Sequence, residues 1–223
     1  WLDLEGLIEM ATEYPCYVMK EVLQKHDYEL RELGKFFKDD EDFLLKRFQV
    51  CQEGFKVITY TDAISLLQKL LAGSSTIRQA CDCEVDDIKW GIDLTSEMEK
   101  ALVRYYEKPL VVTHYPKALK SFYMYADDDC ESSRETVQAM DVLFPDIGEM
   151  IGGSVREYRH EVLAKRMKEL GIDIPWYLQL REISTVPHAG FGLGFERLVM
   201  YMTGAPSVHD VIPFPRHYRS CIG

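Results

Sequence analysis

The sequence predicts an α+β fold, a mainly antiparallel sheet with helices packed against it. Three observations carry this. Near the N-terminus apolar residues recur at three- and four-residue steps: Leu4, Leu7, Ile8, Ala11, Tyr14, Val18, Val22 and Leu23. Runs rich in β-branched and aromatic residues, PLVVTHY and TVQAMDVLF, read as strands. These strands are grouped rather than strictly alternating with helices, which favours antiparallel pairing.

In chain order, residues 3–35 are mainly helical, and Pro15 is expected to kink or split that helix. The charged run KDDED, 38–42, is a solvated turn or helix start. KVITY, 56–60, is a short strand, after which Thr61 or Asp62 caps a helix to about Leu71. Residues 72–87 have little periodicity and predict a surface loop. WGIDL, 90–94, is strand-like, and Thr95 or Ser96 opens a polar helix to about Tyr106. SFYMYA and TVQAMDVLF predict two antiparallel strands joined by the acidic loop DDDCESSRE. Pro145, Asp146 and Gly148 mark a turn. A helix is predicted over 154–170, closed by Gly171. A short element around WYLQLRE leads to a glycine-rich stretch and a last helix ending near Gly204. There are no internal repeats.

The 223 residues suffice for a real core, with 47% apolar and 28% charged residues. No run approaches the roughly 20 apolar residues of a membrane span. The N-terminus, WLDLEGLIEM, lacks a secretory signal and an initiator methionine, and it starts in mid-pattern, so further residues are expected upstream. A net charge of −11 argues against a surface that coats nucleic acid in general, while leaving room for a local basic groove. Of the six cysteines only Cys81 and Cys83 are close, a weak metal signal; reduced thiols in a cytosolic or organellar matrix compartment are expected. No Ser/His/Asp nucleophile pattern and no zinc spacing is present.

Three stretches carry candidate chemistry. In GGSVREYRHEVL, Ser154 and Glu157 have capping-box spacing, which would put Arg156 in a first helical turn behind Gly152 and Gly153. There Arg156 either holds an anionic or carbonyl group of a substrate, or faces solvent paired with Glu157 or Asp146. In GFGLGFERL, Gly190, Gly192 and Gly194 lead into Phe195, Glu196 and Arg197, with Phe195, Leu198, Val199 and Met202 forming an apolar helix face. The spacing is not the dinucleotide fingerprint. Free N–H groups at a helix start and an arginine fork nevertheless suit phosphate, although a glycine-rich strand end is the commoner explanation. In MDVLFPDIGE, a hairpin could bring Asp141 and Glu149 together, a pair suited to Mg²⁺ on a nucleotide or simply an exposed hairpin rim. His188 precedes the glycines and is expected on the same strand; a lone histidine is usually structural. Trp90, Phe122, Tyr123 and Tyr177 are expected in the core.

Taken together, WGIDLTSEMEK, YPKALKSFYM, AMDVLFPDIGEMIGGSVRE, VPHAGFGLGFERLVMYMTG and DVIPFPR resemble the class II aminoacyl-tRNA synthetases, in the asparaginyl branch of bacterial and organellar type. The resemblance runs from about residue 3 to residue 216. It implies an incomplete class II catalytic fold over residues 1–223, with a helical insertion at about 3–87 and without the anticodon-binding domain. It implies ATP, Mg²⁺, asparagine and tRNA(Asn) as ligands, and a homodimer for the complete protein. Arg197 is implied as the terminal-phosphate ligand, with Gly192, Gly194, Phe195 and Glu196 beside it at the ATP. Glu149 and Asp141 are implied as the metal pair, Glu149 also touching ATP. Gly152, Arg156 and His188 are implied at the amino acid. The sequence departs from the family pattern at Val155, where glutamine is usual, and at REIST, residues 181–185. The motifs that build the dimer interface and grip the α-phosphate are not in this sequence, so residues 1–223 alone are expected not to form an adenylate. The rival readings are an aspartyl-tRNA synthetase or asparagine-forming ligase, and an inactive synthetase-derived binding protein. The compartment implied is the cytoplasm, or a mitochondrial or plastid matrix.

Overall fold

The computed structural model describes residues 2–128 and 133–215. Five strands form one sheet in chain order: β1 (Lys56–Thr59), β2 (Leu110–Pro116), β3 (Thr136–Phe144), β4 (Gly148–Val155) and β5 (Ala189–Leu193). β1 runs parallel to β2, and every later neighbour is antiparallel. The expected α+β architecture is therefore present, with a parallel strand at one edge.

Two helical layers cover the sheet. On one face α1 (Leu4–Lys25), α2 (Asp27–Lys38), α3 (Phe43–Gln52) and α9 (Phe195–Thr203) pack onto Val111, Met140, Val142, Phe144 and Ile151. On the other, α4 (Tyr60–Gly73), α5 (Ser75–Cys81) and α6 (Ser96–Tyr106) pack onto Leu110, Val112, Val137, Ala139 and Leu143. The strands alternate between these layers because their side chains do. α7 (His160–Glu169) and α8 (Pro175–Ile183) pack on each other.

Several local expectations change. Pro15 sits inside an unbroken α1, and the chain breaks instead at His26. Leu7, Ala11, Pro15 and Met19 are all buried, so packing of that face outweighs the missing hydrogen bond. Thr59, not Thr61 or Asp62, caps α4, in a reciprocal pair with Asp62. Residues 72–87 hold α5, capped by Ser74, and a 3-10 turn at Val85–Asp87. WGIDL is a loop rather than a strand. Gly91 has φ 98°, and Tyr60 ties the loop down: its hydroxyl accepts from the Gly91 N–H and donates to the Ile92 carbonyl. SFYMYA makes only single bridges, Met124 to Arg156 and Ala126 to Val137. Trp90, Phe122, Tyr123 and Tyr177 are half-buried rather than core. Cys130, Arg216 and Cys221 lie outside the described residues.

The 43–52 segment, to which no element was assigned, is helix α3. Its Arg47 is buried, donating to the Tyr201 carbonyl at 3.0 Å and to Asp146 at 2.6 Å, with the Phe43 and Tyr201 rings each 4.5 Å from its guanidinium carbon. Cys51 lies beside it, its Sγ 3.1 Å from the Tyr201 hydroxyl.

The largest revision concerns 154–170. β4 runs to Val155 and α7 begins at His160, so Ser154 and Glu157 form no capping box. Ser154 is committed to the sheet opposite Gly190. Glu157 is buried and binds Arg159 through both carboxylate oxygens at 2.8 Å.

Candidate active site

The register of β3, β4 and β5 explains the glycines. Leu143 faces Glu149, Asp141 faces Gly152, and Ala139 faces Ser154; across the next ladder, Gly152 faces Gly192 and Ser154 faces Gly190. Paired residues share a face. Leu143 and Ala139 belong to the α4–α6 core, so Glu149, Gly152, Ser154, Gly190 and Gly192 point the same way. Those helices cover β1 to β3, and α6 reaches the Glu149 end of β4, while β5 and the glycines beside it stay open. The result is a shelf floored by Gly152, Gly190 and Gly192. A side chain at 192 would meet nothing within 4 Å. Phe191 and Leu193, the alternate residues of β5, pack into the opposite core.

An arginine stands at each end of this shelf. Arg156 follows β4 and is not in a helix. It donates to the Ser154 hydroxyl at 3.0 Å and to the Gly190 carbonyl at 3.2 Å, with its guanidinium 4.7 Å from the centre of the Tyr123 ring. Neither expected partner, Glu157 or Asp146, is bound to it: those carboxylates hold Arg159 and Arg47. Arg197 lies in the first turn of α9, exposed, as expected. Its side chain lies 3.3 Å from where a Gly194 Cβ would be, and it donates to the Glu149 carbonyl. Gly190 underlies the Arg156 guanidinium and Gly194 the aliphatic stem of Arg197, so the two arginines stand at opposite ends of β5.

Acidic groups cluster between them, toward Arg197. A Cβ on Gly152 would lie 2.7 Å from Glu149 Oε1 and 3.5 Å from Asp141 Oδ1, so both carboxylates converge over that glycine. The hairpin thus brings Asp141 and Glu149 together. Burial, and then the charge of Asp141, raises the Glu149 pKa. Asp141 is buried and paired with Lys120 at 2.6 Å, and the Lys120 ammonium sits 3.9 Å from the Tyr115 ring centre. Arg166 of α7 braces that lysine's loop by donating to the Lys117 and Lys120 carbonyls. Among the described residues no group of three or more His, Cys, Asp or Glu is placed to hold a metal by itself. Two converging carboxylates nonetheless fit Mg²⁺, which takes one or two such ligands and fills its sphere with water and phosphate.

Glu99 of α6 was not singled out as a site residue. Its Oε2 accepts the Glu149 N–H at 3.0 Å, and burial foremost, with the Glu149 and Asp141 charges adding, pushes its pKa up to about 7. A signal was available: Glu99 shares a helix stripe with Leu102, Val103 and Tyr106 at i+3, i+4 and i+7, an acid where an apolar residue belongs. Lys120 carried no such signal. His188 is exposed and lies just before β5, not in it. Its carbonyl accepts the Arg156 N–H at 2.8 Å, and its ring nitrogen Nδ1 is 2.9 Å from the Val186 carbonyl. Phe195 and Glu196 are exposed at the start of α9.

A sheet-borne shelf with an arginine at a helix start beside paired carboxylates defines a class. Residues 1–218 match the family described as tRNA synthetases class II (D, K and N), and the chain belongs to that family. Within it, the chain is 44% identical over 219 residues to the asparagine–tRNA ligase of Desulfotalea psychrophila, covering 96% of this chain and 45% of that protein. It is 45% identical over 218 residues to the asparagine–tRNA ligase of Picosynechococcus sp., covering 96% and 44%. The solved asparaginyl-tRNA synthetase from Pyrococcus horikoshii complexed with asparaginyl-adenylate superposes with a TM-score of 0.80 at 33% identity, covering 97% of this chain and 45% of that one. The chain thus spans a little under half the length of these relatives. No helix among the described residues is long and apolar enough to cross a membrane.

Proposed function

We propose that this chain is the C-terminal part of the catalytic domain of an asparagine–tRNA ligase; residues 3–87, expected as a helical insertion, supply edge strand β1 and helices of both layers. The observation that carries the reading is the glycine floor with a guanidinium at each end and carboxylates between. An anionic, elongated ligand fits there, and the relatives named for asparagine and tRNA support its identity.

In this reaction the asparagine carboxylate attacks the ATP α-phosphate, giving an adenylate and pyrophosphate; the acyl group then passes to the 3′ end of tRNA(Asn). Arg156 holds the asparagine side-chain carbonyl at one end, above Gly190, with His188 beside it. Arg197 holds the terminal phosphate at the other, with Gly192, Gly194, Phe195 and Glu196 lining the ATP. The glycines let the ligand lie against the backbone. Glu149 and Asp141 would hold Mg²⁺, which would supply positive charge against the phosphates. The protein's contribution is positioning and electrostatic stabilisation, with no covalent enzyme intermediate. The complete protein acts as a homodimer in the cytoplasm.

The test is amino-acid-dependent exchange of pyrophosphate into ATP by the native protein that contains this chain. Asparagine is expected to support exchange and aspartate not. Exchange with aspartate in preference would make the protein an aspartyl enzyme, and no exchange with either would make it a binding protein.

A further inference from the structure

We infer that Glu99 is a positioning residue, which together with Arg197 clamps the Glu149 residue from both of its backbone polar groups and so fixes the carboxylate and the guanidinium relative to each other. This deepens the reading of the shelf as an ATP site and rests on it.

The geometry is specific. The Glu149 N–H donates to Glu99 Oε2 at 3.0 Å, while the Glu149 carbonyl accepts from Arg197. One residue is therefore held from α6 on one side and from α9 on the other, across a separation of 50 and 48 residues. The clamp sits where support is needed, because the β3–β4 register shifts between Val142 and Leu143, next to Glu149. A bulge re-aims the side chains around it and loosens the ladder that would otherwise hold them. The residue before, Gly148, has φ +80°, and a Cβ there would lie 2.8 Å from Glu99 Oε2. Glycine at 148 thus admits both the turn and the Glu99 carboxylate.

Glu99 also brings a third carboxylate up to Asp141 and Glu149. A helix-to-sheet tether alone does not call for that, since a buried leucine in the same stripe would join α6 to β4 without adding negative charge. A carboxylate accepts a strong hydrogen bond from an N–H and so anchors the Gly148–Glu149 peptide. The next peptide, Glu149–Met150, supplies the carbonyl that meets the exposed Arg197, so the Glu149 Cα is held between two anchored peptide groups.

The experiment uses the native protein and compares E99A, E99Q and R197A. Binding of a non-hydrolysable ATP analogue with Mg²⁺ is measured by calorimetry, and pyrophosphate exchange gives KM for ATP and for asparagine. E99A is expected to weaken analogue binding and raise the ATP KM about tenfold, the scale of one charge-assisted hydrogen bond, while the asparagine KM stays within about twofold. E99Q keeps an acceptor oxygen and is expected to recover the binding. Unchanged analogue affinity in E99A overturns the proposal. So does equal loss for both substrates together with a lower melting temperature, and so does failure of E99Q to recover. R197A separates the two levels. If R197A binds the analogue like the parent, the shelf is not the ATP site; if R197A loses binding and E99A does not, only the role of Glu99 fails.

Discussion

Gly152 and Gly153 are adjacent in β4 and face opposite sides of the sheet. A Cβ on Gly153 would lie 2.8 Å from the Phe191 Cβ and 3.1 Å from the Gly190 carbonyl, inside a packed core. A Cβ on Gly152 would meet only the end of the Glu149 side chain and, at 3.5 Å, Asp141. The same residue type thus answers two demands. At 153 it lets two strands and a methionine close together, and at 152 it makes room for the Glu149 and Asp141 carboxylates on the open face, where the proposed ligand would lie. The difference separates what folding needs from what binding needs within a single dipeptide.

Substitutions on the two sides should divide accordingly. The largest effect belongs to the shelf's end. Arg197→Ala should lower kcat/KM for pyrophosphate exchange about 10²–10³-fold, the usual scale for removing one donor to a developing charge, with the melting temperature unchanged because the side chain is exposed. A drop in melting temperature of the same variant would move Arg197 to the folding side of the comparison. Next, Gly153→Val should destabilise by about 1–3 kcal/mol through overpacking, measured by denaturant unfolding. Gly152→Val should unfold close to the parent and lose ATP-analogue binding; matching unfolding curves for the two variants would break the contrast. Gly192→Leu, built into open space, should change stability by no more than about 0.5 kcal/mol while raising the ATP KM.

The smallest effect is a pH dependence. Glu99 has its pKa raised to about 7 in the folded protein, above the ordinary carboxylate value of about 4.3. Between these values the folded state binds more protons than the unfolded one, so this residue's contribution to stability is full below about pH 4.3 and is lost as pH rises through 7. Thermal melting of E99Q without Mg²⁺ should therefore fall less than the parent's between pH 5 and 8. Parallel curves would show that Glu99 ionises normally.

How much of this was legible depended on how local the cause was. The helix start in GFGLGFERL was legible because both its parts are local: a helix that begins after Gly194, and Arg197 in its first turn. The Thr95 cap and the Pro145–Gly148 turn were local too. Arg156 was expected in a first helical turn and instead follows strand β4. Ser154 and Glu157 have capping spacing, yet Ser154 pairs with Gly190, 36 positions away, and that ladder wins. The alternation of the glycines gained its meaning only from register, since nothing within β5 says which face is bare. Glu99 and Lys120 reach the site from other elements and make sense only beside Glu149 and Asp141. Helices α3 and α5 are short and held by tertiary packing, so their own periodicity was too weak to read.

Arg47 carries a consequence for the order in which the molecule can be made. Its carbonyl partner, Tyr201, lies 154 residues later. At about 5–20 residues per second, translation takes roughly 8–30 s to cover that distance. During this time α3 exists without the ring, carbonyl and thiol partner that enclose its buried face, and its guanidinium stays in water. Helices α1–α3 leave the ribosome well before α9 yet are finished only with it, and nascent chains stopped before residue 201 would leave the α1–α3 layer open to proteolysis.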